Sequence, residues 1–340
     1  MEAIESIPKL RLLALRVLIV ILLVGQACSY VLLRQYIQRV GDISFDGNTL
    51  LLVGEIQKLV FSLAMLYFSS EETIHKSFYE FAWSGAVMLV PAVSYSLVSL
   101  LSFVSLQNIN SSLYVTINQL KVFSTAIASI LILGTSLSFS RWVSLFLLVI
   151  GGIIVTEQEV GQSNSESSKD DSVSFSLGLF CVLLQVAISG LVSAYYEKIL
   201  KFSKGSIWER NIQLALISMI LYSMNILFTS NVDFISELLR WNWVILLTAT
   251  LGAAGGILVA LCTKYLDSVA KCVVLSFSVL LTVYLSHFFF DSSLSSGTVV
   301  GAFFVVSGSL LYNQPELLDQ LLHYFSLDKG IKIPEIYQDK

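Results

Sequence analysis

Three charged side chains stand inside stretches that are otherwise apolar: Glu55 and Lys58 in Gly54-Glu55-Ile-Gln57-Lys58, and Lys121 in Ser112-Leu-Tyr-Val-Thr-Ile-Asn-Gln-Leu-Lys121. A charge at the centre of a bilayer costs about 2.5–3.5 kcal/mol even on the lenient insertion scale, so such residues face a cavity or a partner. Helical spacing sets Tyr114, Asn118 and Lys121 at i, i+4 and i+7, on one predicted face. That face joins an aromatic plate, an amide able to meet a base or sugar hydroxyls, and a cation for phosphate. The plainer alternative is a lysine neutralised between helices, with Tyr114 and Asn118 satisfying each other. Glu55 and Lys58, at i and i+3, can neutralise one another as a structural pair. They can equally line a cavity, the carboxylate accepting hydrogen bonds from a ligand while Lys58 keeps it ionised.

A third cluster, Lys264-Tyr-Leu-Asp267-Ser-Val-Ala-Lys271, joins two apolar runs. Two lysines beside an aspartate at a cavity mouth could collect a diphosphate, or could simply mark the cytosolic side. Ser189-Gly190 lets helices approach closely. Other chemistry is missing. His75, His287 and His323 are isolated, and no HExxH, Walker-type loop or Ser/His/Asp set appears. Cys28, Cys181, Cys262 and Cys272 form no CxxC and read as small apolar packing residues. The expectation is therefore a non-enzyme with no cofactor and no metal.

The elements that must hold these residues follow from composition. Of 340 residues, 55% are hydrophobic and 13% charged, with a mean hydropathy of +0.78. A soluble domain carries about 25% charged residues, so a water-exposed globule is excluded. Apolar spans fall near 12–33, 48–68, 80–102, 107–132, 138–156, 175–198, 210–230, 240–262, 268–289 and 294–313. The predicted class is an all-α membrane protein with ten transmembrane helices, Lys121 lying deep in the fourth. The first span reads as a retained helix and not a cleaved signal, and Asn110-Ser-Ser as a sequon too close to the membrane for modification.

Ten spans put both termini on one side. Of the 20 Lys and Arg residues, 14 fall on that side and 4 on the other, which predicts cytosolic termini; Lys58 and Lys121 are the two inside spans. The net charge of −4 includes no basic stripe, so nucleic acid is not an expected partner, whereas the lipid bilayer is. The Ser-rich stretch 157–174 reads as a flexible linker between five-span halves, 1–156 and 175–313, with a tail over 314–340. Five is odd, so duplicated halves must be inverted. A shift of 157 residues lays 101–155 on 258–312 without a gap, matching Gly134-Thr-Ser-Leu-Ser to Asp291-Ser-Ser-Leu-Ser. Two inverted five-helix repeats are the architecture of alternating-access carriers with a midplane site.

Four stretches carry a resemblance: Glu55-x-x-Lys58; Tyr114 with Gln119-Leu-Lys121; Tyr196-Glu-Lys198 followed by Trp208-x-Arg-Asn-Ile-Gln213; and Gly255-Gly256 before Lys264-Tyr-x-Asp267-x-x-x-Lys271. Together, over about residues 12–313, they resemble the nucleotide-sugar transporters of the Golgi and ER, in the CMP-sialic acid, UDP-galactose and UDP-N-acetylglucosamine group of the drug/metabolite transporter superfamily. The resemblance implies a Golgi or ER membrane carrier that exchanges a cytosolic nucleotide sugar for nucleoside monophosphate. It also implies that Glu55, Lys58, Tyr95, Tyr114, Lys121, Asn211 and Lys271 line the nucleotide cavity, with Ser189 and Gly190 admitting close backbone approach. A homodimer or a glycosyltransferase association stays open as a further contact. Ser99-Leu100 replaces the Asn-Asn pair of the CMP-sialic acid carriers, and Asn118 a tyrosine, so base and sugar stay open. The rival readings are a superfamily carrier for sugar phosphates or purine nucleotides, and a non-transporting scaffold.

Overall fold

In lipid every backbone N–H and C=O must be satisfied within its own segment, so long apolar runs fold as helices. The computed structural model describes residues 9–40, 46–69, 78–109, 114, 117–161, 172–203, 205–229, 234–290 and 296–313, and among these no strand occurs. Most of the predicted linker, the tail, Asn110, His75 and His323 lie outside the described residues. The helices are α1 (Lys9–Val40), α2 (Gly47–Phe68), α3 (Phe78–Gly85), α4 (Leu89–Asn108), α5 (Lys121–Leu133), α6 (Phe139–Gly161), α7 (Ser172–Phe202), α8 (Ile207–Thr229), α9 (Phe234–Arg240), α10 (Trp243–Tyr265), α11 (Ser268–Phe290) and α12 (Ser296–Asn313).

Seven segments, in α1, α2, α3–α4, α7, α8, α10 and α11, are long and apolar enough to cross a membrane, and α5, α6 and α12 contribute shorter apolar helices. Their outward faces carry exposed Leu131, Phe228 and Phe303, a surface suited to lipid and not to water. All four cysteines are buried thiols.

Local chemistry sets the helix ends. Asp46 caps α2 through Thr49 N at 2.9 Å, and Asn242 caps α10 through Ile245 N at 3.0 Å. Gly134 closes α5 in the left-handed region at φ 68°, where a side chain would be strained. The third predicted span is not one helix. Pro91 cannot donate to the carbonyl one turn earlier, and a 3₁₀ turn over Ala86–Met88 separates α3 from α4. A short helix, α9, also appears ahead of the eighth span, where no element was expected.

The main contacts pair α6 with α12, α4 with α7, α2 with α8, α5 with α7, and α1 with both α10 and α11; α2 also meets α10, and α4 meets α8. α2 and α8 run antiparallel, since Asn48 accepts from Asn225 at one end and Phe61 meets the Trp208 ring at the other. Glycine permits a close crossing of α6 and α12. A Cβ on Gly151 of α6 would lie 2.7 Å from Gly301 O and Val305 N, and one on Gly308 of α12 would lie 2.8 Å from Ser144 O and 3.0 Å from Leu148 N. Around this crossing Val122, Leu145, Leu148, Val269, Val273 and Val305 form a buried core.

Candidate functional site

Lys58 is 5% exposed and pairs with Glu55 Oε2 at 2.5 Å, in ionic contact but without hydrogen-bond alignment. One helical turn separates the two on α2, so the pair is intrahelical, as spacing predicted. What the spacing could not show is where the lysine goes. Its stem lies on Gly256 of α10, where an added Cβ would come within 3.2 Å of Lys58 Cδ. The preceding Gly255 lies under the amide of Gln26, which donates from Nε2 to Leu251 O at 2.8 Å. The double glycine of α10 is thus a seat for two polar side chains from α2 and α1.

Lys271, on the first turn of α11, is 7% exposed and donates to Ser193 Oγ of α7 at 3.1 Å. Tyr95 of α4 lies within electrostatic reach of Lys271, Tyr196 of α7 within reach of Tyr95 and Glu55, and Tyr222 of α8 within reach of Glu55. Electrostatic coupling therefore runs from Lys271 through Tyr95 and Tyr196 to Glu55, which holds Lys58, with Tyr222 joining at Glu55. A dry hydroxyl is a weak partner for Lys271, which leaves its charge available to an anion.

The predicted Tyr114–Asn118–Lys121 face is only partly assembled. Bonds from Leu120 N to Ile117 O and from Val122 N to Gln119 O tighten the chain into turns at Gln119-Leu120, and α5 starts at Lys121. Lys121 therefore heads its helix and does not sit in its middle. Tyr114 shares hydrogen bonds with Ser102 Oγ and Gln185, and Asn118 Oδ1 accepts from Gln185 Nε2 at 3.5 Å. Gln185 of α7 thus joins Tyr114 and Asn118. Lys121 is half-buried and has no ion-pair partner among the described residues.

Asn211, 1% exposed one turn into α8, donates to Ile207 O, while its Oδ1 meets no partner among the described residues. An orphaned buried acceptor is costly unless a water or ligand meets it. Gly190 packs against Ser124 of α5 so closely that a Cβ would collide with that residue's backbone and Oγ, so it serves helix contact; Ser189 beside it is half-buried. In the Lys264–Asp267–Lys271 stretch, Asp267 caps α11 through Ala270 N, Lys264 stands in the last turn of α10 and Lys271 in the first turn of α11, with the helix break at Leu266 between them.

Beyond the cluster, Glu197 accepts from Ser268 N at 2.8 Å and from Lys201 Nζ at 2.6 Å, and Lys201 also donates to Leu266 O. This ties α7 to the α10–α11 joint. Arg210 donates to Ser84 O at 2.6 Å, and Gln213 to Ser84 Oγ, tying α8 to α3; Glu237 of α9 accepts from Asp46 N and faces Thr49 Oγ1, tying α9 to α2. Sequence reasoning passed over Gln26, Gln185, Ser193 and Tyr222 as site residues. Gln26 and Gln185 left a signal, an amide inside an apolar run.

The family model for nucleotide-sugar transporters matches residues 11–313. The chain belongs to the nucleotide-sugar transporter family. The UDP-galactose transporter of Schizosaccharomyces pombe is 30% identical to this transporter over 307 residues, covering 88% of this chain and 85% of that protein. UDP-galactose translocator 1 of Caenorhabditis elegans is 31% identical, covering 80% and 79%. The UDP-N-acetylglucosamine transporter of Rattus norvegicus is 29% identical, covering 86% and 93%. A protein known from its crystal structure superposes with a TM-score of 0.64 at 11% identity, covering 87% of this chain and 98% of that one, a likeness of fold alone. The transporter is thus a carrier and not an enzyme, and nucleotide sugars are its substrate class.

Proposed function

We propose that the transporter is an antiporter that brings a cytosolic UDP-sugar, UDP-galactose or UDP-N-acetylglucosamine, into the Golgi lumen in exchange for the nucleoside monophosphate. The observation that carries this reading is the pair of buried lysines, Lys58 and Lys271, linked through Glu55, Tyr196 and Tyr95. The lysines hold phosphate as point charges, the phenols stack on or bond to the base, and Asn211 Oδ1 offers an acceptor to it. The UDP-sugar carriers among the relatives support uracil as that base.

Antiport follows from the charges. With the cavity empty, Lys271 is left with a hydroxyl partner, and turning that charge through a closed, dry state is costly; a bound phosphate neutralises it and lets the halves rock. The proposed frame is ten spans in two inverted halves with cytosolic termini. Three observations support it. The packing pattern is nearly unchanged when halves are exchanged: α4–α7 becomes α10–α1, α5–α7 becomes α11–α1, α2–α10 becomes α8–α4, and α2–α8 and α6–α12 map onto themselves. At the 157-residue shift, Gly151 becomes Gly308 while its neighbours Gly301 and Val305 are the images of Ser144 and Leu148, the self-complementary contact of a twofold axis. The short helices correspond as well, α3 docking on α8 and α9 on α2.

The test is exchange in proteoliposomes. Vesicles preloaded with UMP are expected to take up UDP-galactose or UDP-N-acetylglucosamine faster than empty ones, UMP competing better than CMP, GMP or AMP. Equal uptake by empty vesicles would overturn antiport, and preference for CMP would move the assignment to CMP-sialic acid. Lys121→Ala exchanging as fast as the parent would remove Lys121 from the site.

A further inference from the structure

Next to Glu55, toward the N-terminal ends of α2 and α10, the helices α1, α2 and α10 border a partly open cavity of about 220 Å³. Its polar wall is built from Gln26 and Tyr30 of α1 and Glu55 of α2, and the Tyr30 ring lies over Gly252 of α10. None of the described residues lining it is cationic. Of the cations nearby, Lys58 lies on Gly256 and is paired with Glu55, and Arg34 stands over the Tyr30 ring at 5.7 Å. A phosphate placed in the cavity would meet the Glu55 carboxylate and not a free cation, so the cavity disfavours it. An amide, a phenol and a carboxylate, with no cation among the described lining residues, suit a neutral ring carrying hydroxyls.

Gln26 is the fixed element of that wall. Its Nε2 is pinned to Leu251 O at 2.8 Å, and the amide lies flat on Gly255, where an added Cβ would come 2.5 Å from Nε2 and 3.0 Å from Oε1. The pin uses one N–H and leaves Oε1 and the second N–H to a ligand. Such preset donors and acceptors can tell one hydroxyl configuration from another, because a misplaced hydroxyl leaves a wall group unpaired.

We propose that this cavity seats the sugar ring of the nucleotide sugar, and that Gln26, held by Gly255, and Tyr30 read the configuration of its hydroxyls. The assignment rests on the antiport reading only for the identity of the ligand. The nucleotide then lies across the Lys58–Lys271 cluster with its sugar pointing between α1 and α10.

The test uses the purified full chain and competition binding with UMP, UDP-galactose, UDP-glucose and UDP-N-acetylglucosamine on Gln26→Ala, Tyr30→Phe and Gly255→Ala. Each variant is expected to bind UMP within twofold of the parent, which also certifies its fold. Each should lose about three- to tenfold in affinity for the preferred UDP-sugar, the worth of one neutral hydrogen bond, and so flatten the preference between the galactose and glucose epimers. Unchanged sugar preference in all three variants overturns the assignment, as does a parallel fall in UMP and UDP-sugar affinity. Tyr30→Phe removes a single oxygen and decides the matter if the other two fail to fold. A parent that binds no UMP or UDP-sugar refutes the nucleotide-sugar reading itself, a different result from loss confined to the variants.

Discussion

Lys58 and Glu55 let structural and functional roles of a buried charge be separated in one experiment. The Lys58 side chain keeps 6% of its exposure and that of Glu55 17%, so neither charge is compensated by bulk water. Removing one partner of a buried pair costs about 3–5 kcal/mol, whereas replacing both by uncharged groups of similar volume is close to neutral. Lys58→Met strands a carboxylate that still touches the α1–α2–α10 cavity, so its loss should fall near 3 kcal/mol. Glu55→Gln strands the more deeply buried ammonium and should cost about 4–5 kcal/mol. The double variant should return to within about 1 kcal/mol of the parent, because no lone charge is left. Reversible denaturation of detergent-purified protein reads all three. Exchange in liposomes then asks a separate question. If Lys58 meets phosphate, the stability-restored double variant still lacks a charge-assisted contact worth about 1.5–3 kcal/mol and should bind UMP roughly 10- to 150-fold more weakly. Additive stability losses would refute the pairing argument, and a double variant that binds and exchanges UMP like the parent would refute the phosphate role.

Two further outcomes test the frame around the site. Gly151→Leu and Gly308→Leu should each destabilise by about 1–3 kcal/mol, and by similar amounts, because each new side chain meets backbone of the opposite helix; unchanged melting of either would contradict the crossing. Glu197→Gln should cost about 1.5–3 kcal/mol in denaturation, since it weakens acceptance from Ser268 N, Ser268 Oγ and Lys201 Nζ at a buried joint, while Glu197→Asp should not restore the parent because its shorter arm cannot span α7 to α11; full stability in Glu197→Gln would show the joint to be held by packing alone.

Much of the helix order was readable because hydropathy is a local property. The ten predicted spans overlap the apolar helices, and their misfits have local causes: Pro91 breaks the third, and turns at Gln119-Leu120 break the fourth. The candidate site was less readable. Glu55–Lys58 came through because an i, i+3 pair lies within one helix. Tyr114 and Asn118 were placed near one another correctly, yet their partner, Gln185, is about seventy residues away. Lys264 and Lys271 looked alike in spacing, but the helix break at Leu266 puts them on different helices, and Lys271 reaches Ser193 of α7.

By itself the sequence determined the class of molecule: a helical membrane carrier with a few charges buried too deep for lipid. That much is dictated by the need of every apolar segment to satisfy its own backbone in the absence of water. Only the tertiary structure decided which buried groups meet. A helical period says which residues share a face, but not which helix that face will touch. Gly255 and Gly256 take their meaning from Gln26 and Lys58, side chains more than 190 residues earlier in the chain that reach them only when α1 and α2 pack on α10.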